Sequence, residues 1–128
     1  MKNINIKDFL LTFLILFSID FTFIKYVLGP LFGVQIKNIQ GSSMTVKKLP
    51  AAFGWFSTVA VLYYFIIREN KSEWEAAILG FLVYGVYEGT NYSIIKNWTF
   101  NTFIIDLLWG TTLFFTSTKL FYKVKQYL

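Results

Sequence analysis

Nineteen consecutive residues, positions 49–67, carry no charged side chain. A helix that crosses a bilayer needs about 20 mostly apolar residues, since a rise of about 1.5 Å per residue must cover a hydrocarbon layer about 30 Å thick. The same criterion selects positions 97–118, interrupted only by Asp106, and positions 76–95, interrupted only by Glu88. It also selects positions 9–28, which hold Asp20 and Lys25 and run into Gly29-Pro30, a helix-stop pair. Composition agrees with this reading. The chain is 15% charged, against about 25% in an average soluble domain. Its mean hydropathy is +0.53. The expectation is an all-α, four-helix transmembrane bundle in one integral membrane domain spanning 1–128, with helices at about 8–28, 50–67, 75–94 and 101–122.

Chemistry is pruned by two absences. The 128 residues include no Cys and no His. Disulfides, thiolate nucleophiles, imidazole bases and the commonest metal ligands are excluded together. No cofactor is expected. The formal charge of +5 raises the question of nucleic acid. The cations flank apolar runs and form no basic stripe interleaved with stacking aromatics, so the bilayer is the expected partner and nucleic acid is not.

Four spans put both termini on one side. That side carries Lys2, Lys7, Arg68, Lys71, Lys119, Lys123 and Lys125, and the other Lys37, Lys47, Lys48 and Lys96, with Lys25 near the boundary. The excess of positive charge predicts cytoplasmic termini. Lys2 and Lys7 before an apolar run mimic a signal peptide. No small-residue cleavage site follows and Asp20 interrupts the run, so the first helix is expected to be retained. Trp74, Trp98, Tyr92 and Tyr122 fall near predicted helix ends, where amphipathic rings suit the headgroup layer. The connection at 29–48 reads either as an amphipathic surface segment, dipping Leu31, Phe32, Val34, Ile36 and Ile39 into the interface, or as a lid over a polar site. The surface segment demands no special function and is the expectation.

The acids inside the spans carry the functional argument. Asp8, Glu69, Glu73 and Glu75 sit at helix ends or in a loop, within reach of water. Asp20, Glu88 and Asp106 do not, and an Asp at the centre of a spanning helix costs about 2.5–3.5 kcal/mol on insertion scales. Counted along each helix, Asp20 lies about 16 Å and Glu88 about 18 Å from the inner boundary, while Asp106 lies little more than one turn from the outer end. All three fall in the outer half. Tyr84, Glu88, Asn91 and Tyr92 share a helical stripe, as do Asp106, Trp109 and Gly110. Gly85 and Gly89 make a small-residue step that permits close helix approach. Lys25, about 140° around the helix from Asp20, is expected to snorkel outward. The candidate polar site is therefore Asp20, Glu88 and Asp106, supported by Asn91, Tyr84 and Trp109. The bland alternative is that the acids are hydrogen-bonded packing groups that hold the helices together.

The strings Tyr87-Glu88-Gly89-Thr90-Asn91, Lys96-Asn97-Trp98 and Asp106-Leu107-Leu108-Trp109-Gly110-Thr111 resemble the predicted membrane proteins grouped as domain of unknown function 2177. Leu49-Pro50-Ala51-Ala52-Phe53 and Ile19-Asp20 extend the likeness over nearly the whole chain. Glu88 stands where that family usually has Asp, and Phe23 where a Trp is common. The resemblance implies four spans and the acidic trio, and it brings no activity with it. The leading function is handling of a proton, cation or small solute through the carboxylates. Since four short helices rarely enclose a pore alone, that reading predicts a homo-oligomer or a shallow outward vestibule. A structural or accessory subunit is the alternative. A membrane-embedded lipid-modifying enzyme, using the acids as acid and base or to hold Mg²⁺, comes third, so the balance is against an enzyme.

Overall fold

The computed structural model describes residues 3–128. The described residues are all-helical: α1 (Ile6–Phe23), a π turn (Ile24–Leu28), α2 (Gly29–Gln40), α3 (Lys48–Leu62) extended by a second π turn (Tyr63–Ile67), α4 (Glu73–Ile94) and α5 (Phe100–Lys125). Counting α1–α2 and α3 with its π turn as continuous rods, these make four helices. Two of them, Ile6–Gln40 and Lys48–Ile67, are long and apolar enough to cross a membrane. The other two have the length, about 33 Å and about 39 Å at the helical rise, but include more polar residues.

Local sequence sets the boundaries. Asn5 caps α1 by accepting the Asp8 N–H, Ser72 and Glu75 form a reciprocal capping box on α4, and Thr99 caps α5 through the Thr102 N–H. Each satisfies amides that the first turn leaves without a helical partner. Gly41, in the left-handed region at φ 79°, ends α2.

One boundary differs from expectation. Gly29-Pro30 does not end the first helix, which continues to Gln40. The π turn is the reason. The Gly29 N–H reaches back five residues to the Ile24 carbonyl, and Pro30 then falls in the first turn of α2. There its missing N–H and fixed φ are tolerated. A Cβ at Gly29 would lie 2.6 Å from the Ile24 carbonyl oxygen, so this close approach of backbone to backbone requires glycine.

Packing divides the molecule along its length. Toward the end that holds both termini, Leu16, Val59, Leu62, Ile66, Ala76, Leu113, Phe114 and Phe121 form a closed apolar core. At that end the Lys125 ammonium pairs with the Asp8 carboxylate, and the Tyr122 hydroxyl donates to the Lys71 carbonyl at 2.6 Å. The start of α1, the α3–α4 turn and the end of α5 are thereby tied together. The tightest seam is α4 against α5, where Gly80 meets the Gly110 carbonyl and Gly110 meets the Tyr84 ring. A Cβ would come within 2.4 Å of that oxygen at Gly80 and 2.1 Å of the ring at Gly110. Gly85 and Gly89, expected from their spacing to make the close approach, do not make it: an added Cβ at Gly89 meets nothing within 4 Å and at Gly85 only Leu107 at 3.8 Å. The close approach on α4 comes at Gly80, five residues before Gly85.

Polarity is inverted relative to a water-soluble bundle. Large apolar side chains such as Leu14, Phe53, Ile78, Val86 and Leu108 face outward, while Thr12, Asp20, Glu88, Thr102, Asp106, Ser117 and Thr118 are buried. Lys25 does point outward, as its angle from Asp20 predicts, and lies 5.5 Å from the Tyr26 ring centre.

Candidate functional site: an acidic cavity between the helices

Away from the closed core the helices separate around a cavity of about 580 Å³. Asp20 of α1 and Asp106 of α5 both line it. Asp20 sits on a stripe with Thr12 and Leu16, each one turn apart, and this is the stripe that α1 buries. Asp106 precedes Gly110 and Phe114 on the corresponding stripe of α5. The acids therefore point inward because they continue the same helix faces that build the apolar core.

Asp20 joins three helices. Its Oδ2 accepts the Trp55 indole N–H at 2.7 Å, from α3, and its Oδ1 accepts the Trp109 indole N–H at 2.9 Å, from α5. Trp109 is held in turn by a parallel stack on Phe23, with ring centres 3.8 Å apart, and Trp55 by the edge of Phe17 at 4.7 Å. Hydrogen bonds to a charged acceptor are worth about 1.5–3 kcal/mol each, so two of them offset much of the cost of burying this carboxylate.

Glu88 is wholly buried, at 0% exposure, and lies behind the cavity wall. The Trp98 indole donates to its Oε1 at 2.9 Å, while its Oε2 has no hydrogen-bond partner. Asp106, 4% exposed, faces Glu88, and the charge of Asp20 also reaches it. Among the described residues no indole or hydroxyl donates to Asp106 as the two indoles do to Asp20, and its side-chain partner is Glu88. Tyr84, expected beside the acids, lines the cavity near both Asp20 and Asp106. Asn91 lies beside Tyr87 and is not part of the cavity wall, and Tyr92 packs on Phe100 and Phe103 instead of the acids. The ion pairs among the described residues, Arg68–Glu69 and Lys125–Asp8, lie at the opposite end.

A family model described as "Predicted membrane protein (DUF2177)" matches residues 5–122. The chain belongs to this family. No curated protein and no solved structure matches it. In this DUF2177 protein, the strings that carry the family likeness also carry the geometry. Asp20 meets Trp109, and Glu88 meets Trp98 and faces Asp106. Phe23, where the family commonly has Trp, supplies the flat face on which Trp109 rests.

Several participants were not singled out by sequence spacing. Trp55 sits in the uncharged second span, and an indole N–H in an apolar setting needs an acceptor, a signal that some partner exists without saying which. Trp98, expected at the headgroup layer, is 5% exposed and spends its N–H on Glu88. Its position next to the α4–α5 turn lets it fold back over α4. Gln35 is the third. Buried on α2, its amide donates to the Asn97 carbonyl at 2.6 Å and accepts from the Thr99 N–H and the Thr102 hydroxyl, both at 3.0 Å. These bonds clamp α2 onto the α4–α5 turn. Leu28 and Phe32 of the first rod, with Met44 and Val46 of the segment that follows it, line the cavity, while Val34 and Ile39 in the same stretch stay exposed. Among the described residues no group of three or more carboxylates is placed to hold a metal ion.

Proposed function

We propose that this chain is a multi-pass membrane protein with cytoplasmic termini that handles a proton, cation or small solute through Asp20, Glu88 and Asp106. One observation carries the reading. Glu88 Oε2 lacks a hydrogen-bond partner while facing Asp106, so a single proton or cation between the two carboxyls would satisfy both. Intramembrane acids without basic partners are costly and mark ion or solute paths by default. The outward-facing apolar belt and the charge excess beside the termini support the topology.

Purified protein in liposomes should pass protons or a small cation faster than empty vesicles, and Asp106→Asn should abolish the excess. Flux equal to that of empty vesicles would sink the proposal. The absence of cysteine makes topology directly readable. A single cysteine introduced at exposed Ser43 should react with an impermeant maleimide from outside intact cells, and one at Lys71 should not.

The packing-subunit reading also has a specific observation in its favour. Trp55 and Trp109 on one acid, and Trp98 on another, are cross-links of the kind that reading requires. It accounts for Asp20. A fixed proton between Asp106 and Glu88 would also fit it, and solute handling is preferred because Asp20 and Asp106 line a cavity of about 580 Å³, which packing does not require.

A further inference from the structure

The cavity beside Asp106 differs from an ion pathway in its walls. Most of its lining is apolar or aromatic, with Ile24, Leu28 and Phe32 on one side, Ala51 and Gly54 on α3, and Val83 on α4. Its volume of about 580 Å³ is far more than an ion needs and falls within the range of about 300–1,000 Å³ typical of organic-ligand pockets. A hydrated metal ion would lose water against such walls and regain few oxygens.

Access has a direction as well. α3 packs against α1, and α4 packs against α5, but α3 and α4 build no extensive interface with each other. Gly54 and Thr58 on one side and Val83 and Tyr87 on the other line the cavity, and Gly54 and Tyr87 are exposed. Within the cavity, Asp20 is already occupied by two indoles, whereas Asp106, 4% exposed, lines the space, meets the Glu88 carboxyl and, among the described residues, receives no N–H donor. No basic side chain lines the cavity to compete for it. Trp55, Tyr84 and Tyr87 add aromatic surface, which attracts cations through the ring face.

We infer that the cavity binds a lipophilic organic cation, an amphipathic molecule with one positive centre on an apolar body, with that centre against Asp106. This rests on the solute-handling reading above and names its substrate class. An anion of the same shape would meet two carboxylates with no counter-charge. A small inorganic cation would leave most of the cavity unfilled.

Tetraphenylphosphonium and tetraphenylborate have nearly the same size and shape and carry opposite charge. Equilibrium binding of each to the purified full-length protein in nonionic micelles, corrected for uptake by protein-free micelles, tests the inference. Saturable binding of the cation, with the anion at least tenfold weaker, is expected. Asp106→Asn should weaken the cation at least tenfold. Since that variant could misfold, Gly54→Leu provides an independent arm. Gly54 lines the cavity and a Cβ there meets nothing within 4 Å, so the larger side chain has room there and should block the cation while helicity is retained. Equal binding of the two ions, or unchanged cation binding in both folded variants, overturns the inference. Cation uptake no greater than that of empty micelles also overturns it. If proton flux nevertheless depends on Asp106, the broader proposal survives that failure. Cation binding without any flux would instead refute the flux reading and leave the binding site standing.

Discussion

Asp20→Asn tests the joint between α1, α3 and α5 directly. The asparagine side chain matches aspartate in shape and keeps one acceptor oxygen, but its NH₂ then points a donor at an indole N–H. Polar contacts between membrane helices average about 0.6 kcal/mol and reach about 1.7, because unfolded helices find other partners in the membrane. The bonds of Asp20 are short, 2.7 and 2.9 Å, and the residue is 5% exposed, which places them at the upper end. One lost bond at about 1.5 kcal/mol and one stranded buried N–H at about 1 kcal/mol give a destabilisation of about 2–3 kcal/mol. Pulse proteolysis of the full-length protein across an SDS titration reads this without relying on tryptophan fluorescence. The sharper result comes from double-mutant cycles with Trp55→Phe and Trp109→Phe. Each substitution alone should cost about 1–2 kcal/mol beyond its lost area. In the Asp20→Asn background, one of them should cost nothing or restore stability, because it removes the donor that faces the amide NH₂. If both tryptophan substitutions cost the same in either background, the three-helix joint does not exist as described.

Three further outcomes follow from the packing. Gly80→Ala and Gly110→Ala, whose Cβ atoms would collide with a backbone oxygen and the Tyr84 ring, should each destabilise by about 1–3 kcal/mol. Gly89→Ala, with open space around it, should be neutral or stabilise by up to about 1 kcal/mol; the same SDS titration ranks all three. Trp98→Phe removes the one donor that Glu88 has and should cost about 1–3 kcal/mol, whereas Trp74→Phe, exposed at 68%, should change stability by less than about 0.5 kcal/mol. Gln35→Leu should release α2 from the α4–α5 turn. The measurement is faster amide exchange confined to residues 31–40, with exchange near Leu113 unchanged.

How much of the site could be read in advance depends on the kind of contact. Asp20, Glu88 and Asp106 stood out because each is an exception to its own span, and hydropathy is a property of composition within a short window. Spacing groups Trp109 with Asp106 on α5, while its N–H crosses to Asp20 on α1. Trp55 and Gln35 make bonds to residues 35 and 62–67 positions away, and no local periodicity points at such partners. The glycine seam failed similarly. Gly80 and Gly85 look alike in sequence, and only the crossing of α4 and α5 decides which one meets a neighbour.

The order of amino acids alone decided the helical class, the length of three of the four helices to within a few residues, the family and the burial of three acids, because those follow from short-range periodicity and from the cost of charge in an apolar setting. Tertiary structure decided what those acids meet. It carried the first helix through a π turn instead of stopping it, brought Met44 and Val46 to the cavity wall, gave Asp20 two indoles and left Asp106 facing Glu88. Distances between separate helices depend on the way whole faces pack against one another, and that information is spread over the entire chain.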